Sequence, residues 1–97
     1  LCLVSGDKKA SLSKIKKLLN KKDISMAEAN DVKDITGYTI GGVSPVAHLN
    51  KIDILIDKSL SRFINLYAAA GHPNCVFKID FKNLKKITSG SIEELTE

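Results

Sequence analysis

The stretch from Thr36 to His48, TGYTIGGVSPVAH, combines residues that can bring backbone amides close to a ligand. Gly41 and Gly42 carry no side chain, so the main chain there can approach a ligand closely and adopt a positive φ. Pro45 fixes the direction in which the chain leaves the turn and removes one donor. Successive N–H groups in such a turn can hold an anion or a polarised carbonyl oxygen. A plain turn between a helix and a strand is the competing interpretation.

Side chains suited to other catalytic mechanisms do not fall into recognisable patterns. His48 and His72 are the only histidines, and neither belongs to a nucleophile motif such as GxSxG. The Gly41-Gly42 pair fits neither a dinucleotide fingerprint nor a P-loop. Metal-assisted hydrolysis needs histidines and carboxylates clustered at ligand spacing, and the sequence has no such cluster, so no metal is expected. Asp57, at the end of an apolar run, is interpreted as a helix cap rather than a catalytic acid.

Positive charge is concentrated near the start of the chain. The net charge is +4, and seven lysines fall between positions 8 and 22: Lys8, Lys9, Lys14, Lys16, Lys17, Lys21 and Lys22. Such a block can attract a polyanion through counterion release, although a solvated helix face is an alternative. No arginine or aromatic residue lies among these lysines, so base stacking and base reading are not indicated. If nucleic acid binds, we expect Lys14, Lys17 and Lys21 to contact phosphates.

Hydrophobic spacing predicts short strands and helices in alternation. The predicted strands cover residues 1–4, 24–26, 52–57, 65–71 and 75–79, and the predicted helices cover residues 12–20, 27–35, 59–64 and 81–87. Ser11 and Asp80 are expected as helix N-caps, and Gly37 should end the second helix. The pattern favours an α+β or mixed α/β domain built on one sheet. Residues 89–97 are expected to form a loosely held acidic tail.

Length and cysteine content restrict the class of protein further. The 97 residues suit one domain. No apolar run approaches the roughly 18 to 20 residues that would cross a bilayer, and no signal peptide is visible, so a soluble protein without a membrane partner is expected. The cysteine content favours a cytoplasmic location. Cys2 and Cys75 are isolated thiols. We interpret both as buried and reduced, with a disulfide or a reactive thiol as alternatives.

Three segments, read together, resemble the YbaK / prolyl-tRNA synthetase-associated domain family of trans-editing aminoacyl-tRNA deacylases. They are TGYTIGGVSPVAH, IDILIDKSL and YAAAGHPNCVFKIDFKNLKKIT. The most specific piece, residues 41–45, matches the family's GxxxP loop, and residues 70–74 are similar to its AAG-x-P segment. The resemblance covers residues 1–88, which we expect to form the editing domain, with residues 89–97 as the tail.

This resemblance implies a compact mixed α/β domain with a strongly bent, barrel-like sheet. It implies hydrolysis of the ester in a mischarged tRNA, commonly tRNA-Pro carrying a small non-cognate amino acid, without any cofactor. The aminoacylated 3′ end of tRNA would be one partner, and prolyl-tRNA synthetase another.

The resemblance also implies roles for individual residues. The amides of Gly41 and Gly42 would surround the aminoacyl carbonyl, while Val43, Ser44, Pro45, His72 and Pro73 would line the substrate pocket. His72 could select the side chain, contact the terminal adenosine or move a proton, and a turn histidine bonded to backbone is an equal alternative. His48 is a possible neighbour of the site.

One departure from the family pattern affects the expected activity. The characteristic family lysine belongs to a strand whose position precedes Leu1, and Lys8 and Lys9 are not substitutes because they follow in a turn. We therefore expect that the N-terminal part of the domain is missing from this sequence; a degenerate copy without full activity is the alternative. A non-catalytic module that binds a tRNA end or a protein is thus a second functional hypothesis, and a structural domain with a coincidental glycine turn is a third.

Overall fold

Three short parallel strands from distant parts of the chain form one sheet. The strand that comes second of the three along the chain lies at the centre of this sheet. A computed structural model describes residues 1–72 and 74–97 of the chain. The strands are β1 (Cys2–Leu3), β2 (Leu55–Asp57) and β5 (Ser91–Glu93), in the order β1-β2-β5. Leu55 of β2 is opposite Cys2 on one side and Ser91 on the other. Both outer strands are therefore fixed by pairing with β2.

A separate antiparallel ribbon follows in the chain. It consists of β3 (Leu66–His72) and β4 (Cys75–Ile79). Pairing is regular from Leu66 opposite Ile79 to Ala69 opposite Val76, and its register shifts between Ala69 and His72. The bounds predicted for the second of these strands are confirmed. Pro73, one of the predicted pocket residues, lies outside the described residues.

Helices occupy the connections. They are α1 (Leu12–Leu19), α2 (Ala29–Thr36) and α3 (Phe81–Thr88), with a 3-10 helix at Lys58–Arg62. The predicted caps are confirmed: Ser11 Oγ accepts a hydrogen bond from the amide of Lys14 at 3.3 Å, and Asp80 Oδ1 accepts one from Asn83 at 2.7 Å. Gly37, at φ 82°, ends α2 as expected. None of the helices in the described residues is long and apolar enough to cross a membrane.

The hydrophobic core joins the two sheets. Its buried members are Ile56 of β2, Leu60, Leu66 of β3 and Leu84 of α3, and partly buried apolar residues pack around them. Ile56 has no exposed surface. Because each of these side chains comes from a different element, the parallel sheet, the ribbon and α3 depend on one another for burial.

The predicted mixed α+β class is confirmed, but the sheet arrangement differs from the expectation. The described strands form two sheets rather than one, and neither is closed into a barrel. The strand predicted at residues 24–26 is wrong. Met26 is 78% exposed, and this segment has no paired strand within the described residues. A few apolar residues without a neighbouring strand cannot offset the cost of ordering the backbone.

Two further expectations are also wrong. The segment after α3 is not loosely held, because β5 pairs with β2 and Leu95 is fully buried. The amide of Ser11 donates to Leu95 O at 2.7 Å, and that of Glu97 donates to Lys9 O at 3.0 Å. Cys75 is exposed and Cys2 half-buried, and both are free thiols, so burial of both cysteines is not observed.

Candidate functional site

A tight turn shapes the glycine loop. The amide of Gly42 donates to Thr39 O at 2.9 Å, which closes a four-residue turn over residues 39–42. Gly41 is its third residue and has φ 88°, in the left-handed region that favours glycine. No atom lies within 4 Å of the position a Cβ would take on Gly41. Backbone conformation, and not lack of space, is therefore what requires glycine at this position.

The same turn decides which amides are available to a ligand. The Gly42 N–H is occupied by Thr39 O, and Gly42 is buried. Among residues 1–72 and 74–97, the amides of Gly41 and Val43 have no hydrogen-bond acceptor. The expected pair of free glycine amides is thus not present: Gly41 and Val43 offer donors here, whereas Gly42 supports the turn. The turn type determines which amide is used inside the turn and which amides stay free. A Gly-Gly pair is compatible with several turn types, so the sequence alone does not specify this.

Tyr38 connects this loop to the end of β3. Its hydroxyl lies 3.0 Å from Val46 O and 3.2 Å from Ala47 O, to which it donates. Its ring covers Gly71, where a Cβ would lie 3.1 Å from the ring Cε1. Gly71 also has φ 92°. Sequence reasoning gave Tyr38 no role, although a tyrosine beside the glycine loop in a chain with 5% aromatic residues was an available signal.

The second half of the loop is held by burial and by a hydrogen bond, through Ser44, Pro45 and His48. Ser44 is 5% exposed, and Pro45 is among the most buried residues. His48 Nε2 donates to Ser44 O at 2.6 Å, and its ring meets that of Tyr38 edge-on at 6.0 Å. His48 is therefore a support for the loop backbone, which makes it a neighbour of the candidate site through Ser44.

His72 occupies the exposed end of β3. Its Nδ1 accepts a hydrogen bond from the amide of Asn74 at 3.1 Å, which is the backbone-bonded arrangement considered as an alternative. In the neutral ring the hydrogen then lies on Nε2. Gly71 brings this end of β3 under Tyr38, so His72 follows directly on the residue that contacts the loop.

An open cavity of about 640 Å³ lies beside the loop. Val43 and Pro45 line it on one side. The remaining lining comes from the first six residues, from residues 66–69 of β3, and from Leu60, Phe63, Asn65, Ile79 and Leu84. The volume is within the range of small-ligand sites, and the lining is mainly apolar, with Ser5, Asn65 and the hydroxyl of Tyr67 as polar exceptions. Gly41, Gly42 and His72 are not part of the lining.

A polar cluster holds the N-terminal turn at the cavity. Arg62 Nη2 donates to Asp7 Oδ1 at 2.6 Å and to Ser5 Oγ at 3.1 Å, and the Ser5 hydroxyl donates to Asp7. The hydrogen bond from Ser5, together with the Arg62 guanidinium, lowers the pKa of the Asp7 carboxyl. The Arg62 guanidinium also lies over the Phe63 ring, 4.5 Å from its centroid. These contacts join two lining residues, Ser5 and Phe63, through one arginine.

The remaining candidate residues lie elsewhere. Asp57 caps the 3-10 helix by accepting from the Ser59 amide at 3.3 Å, which confirms its interpretation as a cap. Lys14 Nζ donates to Thr96 O at 2.6 Å, whereas Lys17 and Lys21 are exposed. Within the described part of the chain, no three His, Cys, Asp or Glu residues come together as metal ligands.

Fold and site together define a small α+β domain whose glycine loop contributes Val43 and Pro45 to a mainly apolar cavity. This chain belongs to the aminoacyl-tRNA editing domain family, whose model matches residues 1–87. The family predicted from the glycine loop and the second glycine segment is thereby confirmed.

Individual relatives agree with this assignment. The chain is 35% identical over 78 residues to the proline–tRNA ligase of Lactobacillus acidophilus, covering 80% of this chain and 14% of that protein. It is 28% identical over 92 residues to the uncharacterised protein YwhH of Bacillus subtilis, covering 95% of this chain and 58% of that protein. A crystal structure presented as a candidate trans-editing enzyme for prolyl-tRNA synthetase superimposes with a TM-score of 0.95 at 32% identity, covering 100% of this chain and 61% of that one. This chain therefore spans less than two thirds of each of them.

Proposed function

We propose that this domain hydrolyses the ester of a mischarged tRNA, with tRNA-Pro carrying a small non-cognate amino acid as the substrate. The observation that carries the proposal is that Val43 and Pro45 of the GxxxP loop line the cavity, while the amides of Gly41 and Val43 are without internal acceptors in the described residues. An aminoacyl group held in the cavity would have its carbonyl beside these donors. Similarity to proline–tRNA ligases supports a tRNA substrate of that synthetase. We propose a cytoplasmic location for this activity.

The chemistry follows from main-chain polarisation. Water adds to the ester carbonyl, and the negative charge that develops on its oxygen is stabilised by the amides of Gly41 and Val43. The ribose oxygen then leaves with a proton, giving the free amino acid and a tRNA with a free 3′ hydroxyl. Removing one such donor typically costs two to three orders of magnitude in rate, about 3–4 kcal/mol.

A mainly apolar cavity limits how well small side chains can be told apart. One methylene group changes binding by only about 1–3 kcal/mol. We propose that proline is excluded by the fit of its ring against residues such as Val43 and Pro45. We propose that the accepted amino acid is one of the small ones: alanine, cysteine or serine.

The test measures ester loss from tRNA-Pro charged with alanine, cysteine, serine or proline. It uses the full chain. We expect faster release of at least one small amino acid than in buffer, and no acceleration for proline. Binding of charged tRNA without any ester loss would overturn the proposal in favour of a non-catalytic tRNA-end module.

A matched pair of substitutions connects the activity to the cavity. Val43→Phe fills the cavity beside the loop, whereas Val76→Phe places the same bulk on a residue that is 65% exposed. We expect kcat/KM for the released amino acid to fall about tenfold or more in the first variant and less than twofold in the second. Equal effects of both substitutions would contradict this location of the substrate.

A further inference from the structure

A second groove, separate from the cavity, runs along α1. Its volume is about 430 Å³, and five of its seven lining residues are lysines: Lys14, Lys16, Lys17, Lys21 and Lys22. The other two are Ser13 and Asn20, so the lining contains no acidic residue. The C-cap Asn20 is in the left-handed conformation, and the amide of Lys21 donates to Lys16 O at 3.1 Å. This reversal of the chain brings Lys21 and Lys22 to the same groove as the helical lysines.

One lysine of the groove is held by the protein itself. Lys14 Nζ donates to Thr96 O at 2.6 Å and lies 3.8 Å from Glu94 Oε1. Lys17, Lys21 and Lys22 are exposed, and among the described residues none of the three forms an ion pair. The groove thus has one structural lysine at its edge and a set of free ammonium groups beyond it.

Helix stability alone does not account for this clustering. Lys16 and Lys17 in the last turn of α1 complement its C-terminal dipole, which favours one or two cations. Further lysines at the same end repel one another, since nothing negative lines the groove. A bound polyanion would relieve that repulsion, and its condensed counterions would be released.

We propose that Lys17, Lys21 and Lys22 hold the phosphate backbone of the RNA whose 3′ end enters the cavity. The inference rests on the proposed function for the identity of the RNA, while the groove and its charges are independent of it. No arginine or aromatic residue lines the groove, so the contact is to phosphates and is independent of sequence. Such contacts position a nucleic acid without reading it, which suits a substrate whose chemistry lies at its terminus.

The experiment measures binding of uncharged tRNA-Pro to the full-length polypeptide at several KCl concentrations. The test variant is the triple substitution K17Q/K21Q/K22Q. Its matched control is K82Q/K85Q/K86Q, which removes three exposed lysines from α3, a helix of the same eight-residue length. Thermal melts of both variants verify that the fold is retained.

We expect the groove variant to bind about tenfold or more weakly near 0.1 M KCl, with the slope of log K against log [KCl] reduced by roughly 2–3. The control should change affinity less than twofold and leave the slope unchanged. Equal losses in the two variants would overturn the inference, because net charge alone would then explain binding. Wild-type binding to vesicles of anionic lipid that is as tight as binding to tRNA, and equally weakened in the groove variant, would overturn the assignment to RNA.

A minimal substrate separates this inference from the proposed function. We expect an aminoacyl ester of the 3′-terminal adenosine alone to be hydrolysed equally by the wild type and the groove variant, since it has no backbone to reach the lysines. Absence of hydrolysis with every substrate would refute the proposed activity, while the difference in tRNA affinity between the two triple variants would still test the groove.

Discussion

Tyr38 shows how one residue fixes the relation between two parts of the candidate site. The hydroxyl holds the carbonyls of Val46 and Ala47, and the ring covers Gly71 at the end of β3. Ala47 itself has φ 59°, an uncommon value for a residue with a side chain. The hydrogen bond from Tyr38 therefore helps to maintain a loop conformation that the local sequence does not favour.

We predict that Tyr38→Phe destabilises the domain by about 1 kcal/mol, because the hydroxyl proton shared between Val46 O and Ala47 O is lost while the ring contact remains. Urea unfolding monitored by circular dichroism measures the change. The control is Tyr67→Phe, since Tyr67 is 67% exposed and its hydroxyl has no partner in the described residues; its free energy of unfolding should stay the same within error. If both variants unfold at the same urea concentration, the Tyr38 hydroxyl does not stabilise the loop.

For single residues, the sequence predicts roles that depend on neighbouring positions, such as helix capping. It does not predict contacts between residues far apart in the chain. The caps Ser11, Asp57 and Asp80 follow from a short polar side chain placed before a helix, which requires only neighbouring residues. The contact of Tyr38 with Gly71 joins positions far apart in the chain, and no spacing rule indicates it. The occupied amide of Gly42 was missed for a different reason, because a glycine pair permits several turn types.

The link between β2 and the C-terminal segment depends on one buried carboxylate. Asp57 is 1% exposed, and its Oδ1 accepts from the Leu95 amide at 2.8 Å while Oδ2 accepts from Ser59. Burial acts to raise the pKa of Asp57, but the hydrogen bonds from Ser59 and from the Leu95 amide outweigh it, and the pKa lies below its ordinary value of 3.8. The ionised form is therefore the one that the fold stabilises.

This lowered pKa sets the direction of a pH effect. The stabilisation from Asp57 is complete above the ordinary aspartate pKa and is lost as the pH falls through the lower pKa of the folded state. We predict that Asp57→Asn lowers the free energy of unfolding by about 1–3 kcal/mol at pH 7, since charged acceptors are replaced by an amide. The difference from the wild type should shrink towards pH 3, as measured by urea unfolding across that range.

Asp80→Asn is the matched control for this substitution. Asp80 also caps a helix, but it is exposed, and asparagine is a comparable N-cap. Its free energy of unfolding should change by less than about 0.5 kcal/mol at either pH. A pH-independent loss in Asp57→Asn would contradict a role for the ionised carboxylate.

Elements with a regular local pattern were predicted well. The strand at Cys75–Ile79 and the helix at Leu12–Leu19 are confirmed, because alternation and helical spacing are visible in the residues themselves. The expected loose tail failed because Ser91–Glu93 becomes a strand only through pairing with β2. Three residues have no periodicity to detect, and their order comes from a distant partner.

For the whole molecule, burial of Leu95 shows that the last residues belong to the folded unit. Leu95 has no exposed surface, and its amide and carbonyl bond to Asp57 and Ser11. These partners come from two different regions of the chain. The C-terminal segment therefore stabilises the arrangement of the parallel sheet against α1, in addition to its own position.

We predict that Leu95→Ala destabilises the domain by about 2–5 kcal/mol through lost burial and the cavity left behind. Leu49→Ala is the control, because Leu49 is 72% exposed and its loss should cost less than about 0.5 kcal/mol. Thermal unfolding of the two variants beside the wild type measures the difference. Similar midpoints for both variants would show that the segment after α3 contributes little to the fold.

The central position of β2 has a consequence for synthesis on the ribosome. Residues leave the exit tunnel in order, so β2 emerges with β1 already available on one edge, while its other edge stays open until residues 91–93 have been made. An unpaired strand edge in a nascent chain can pair with other polypeptides. The interval between translation of Asp57 and Ser91 is therefore the period in which this chain most needs protection from association, and a slower elongation rate over those codons would extend it.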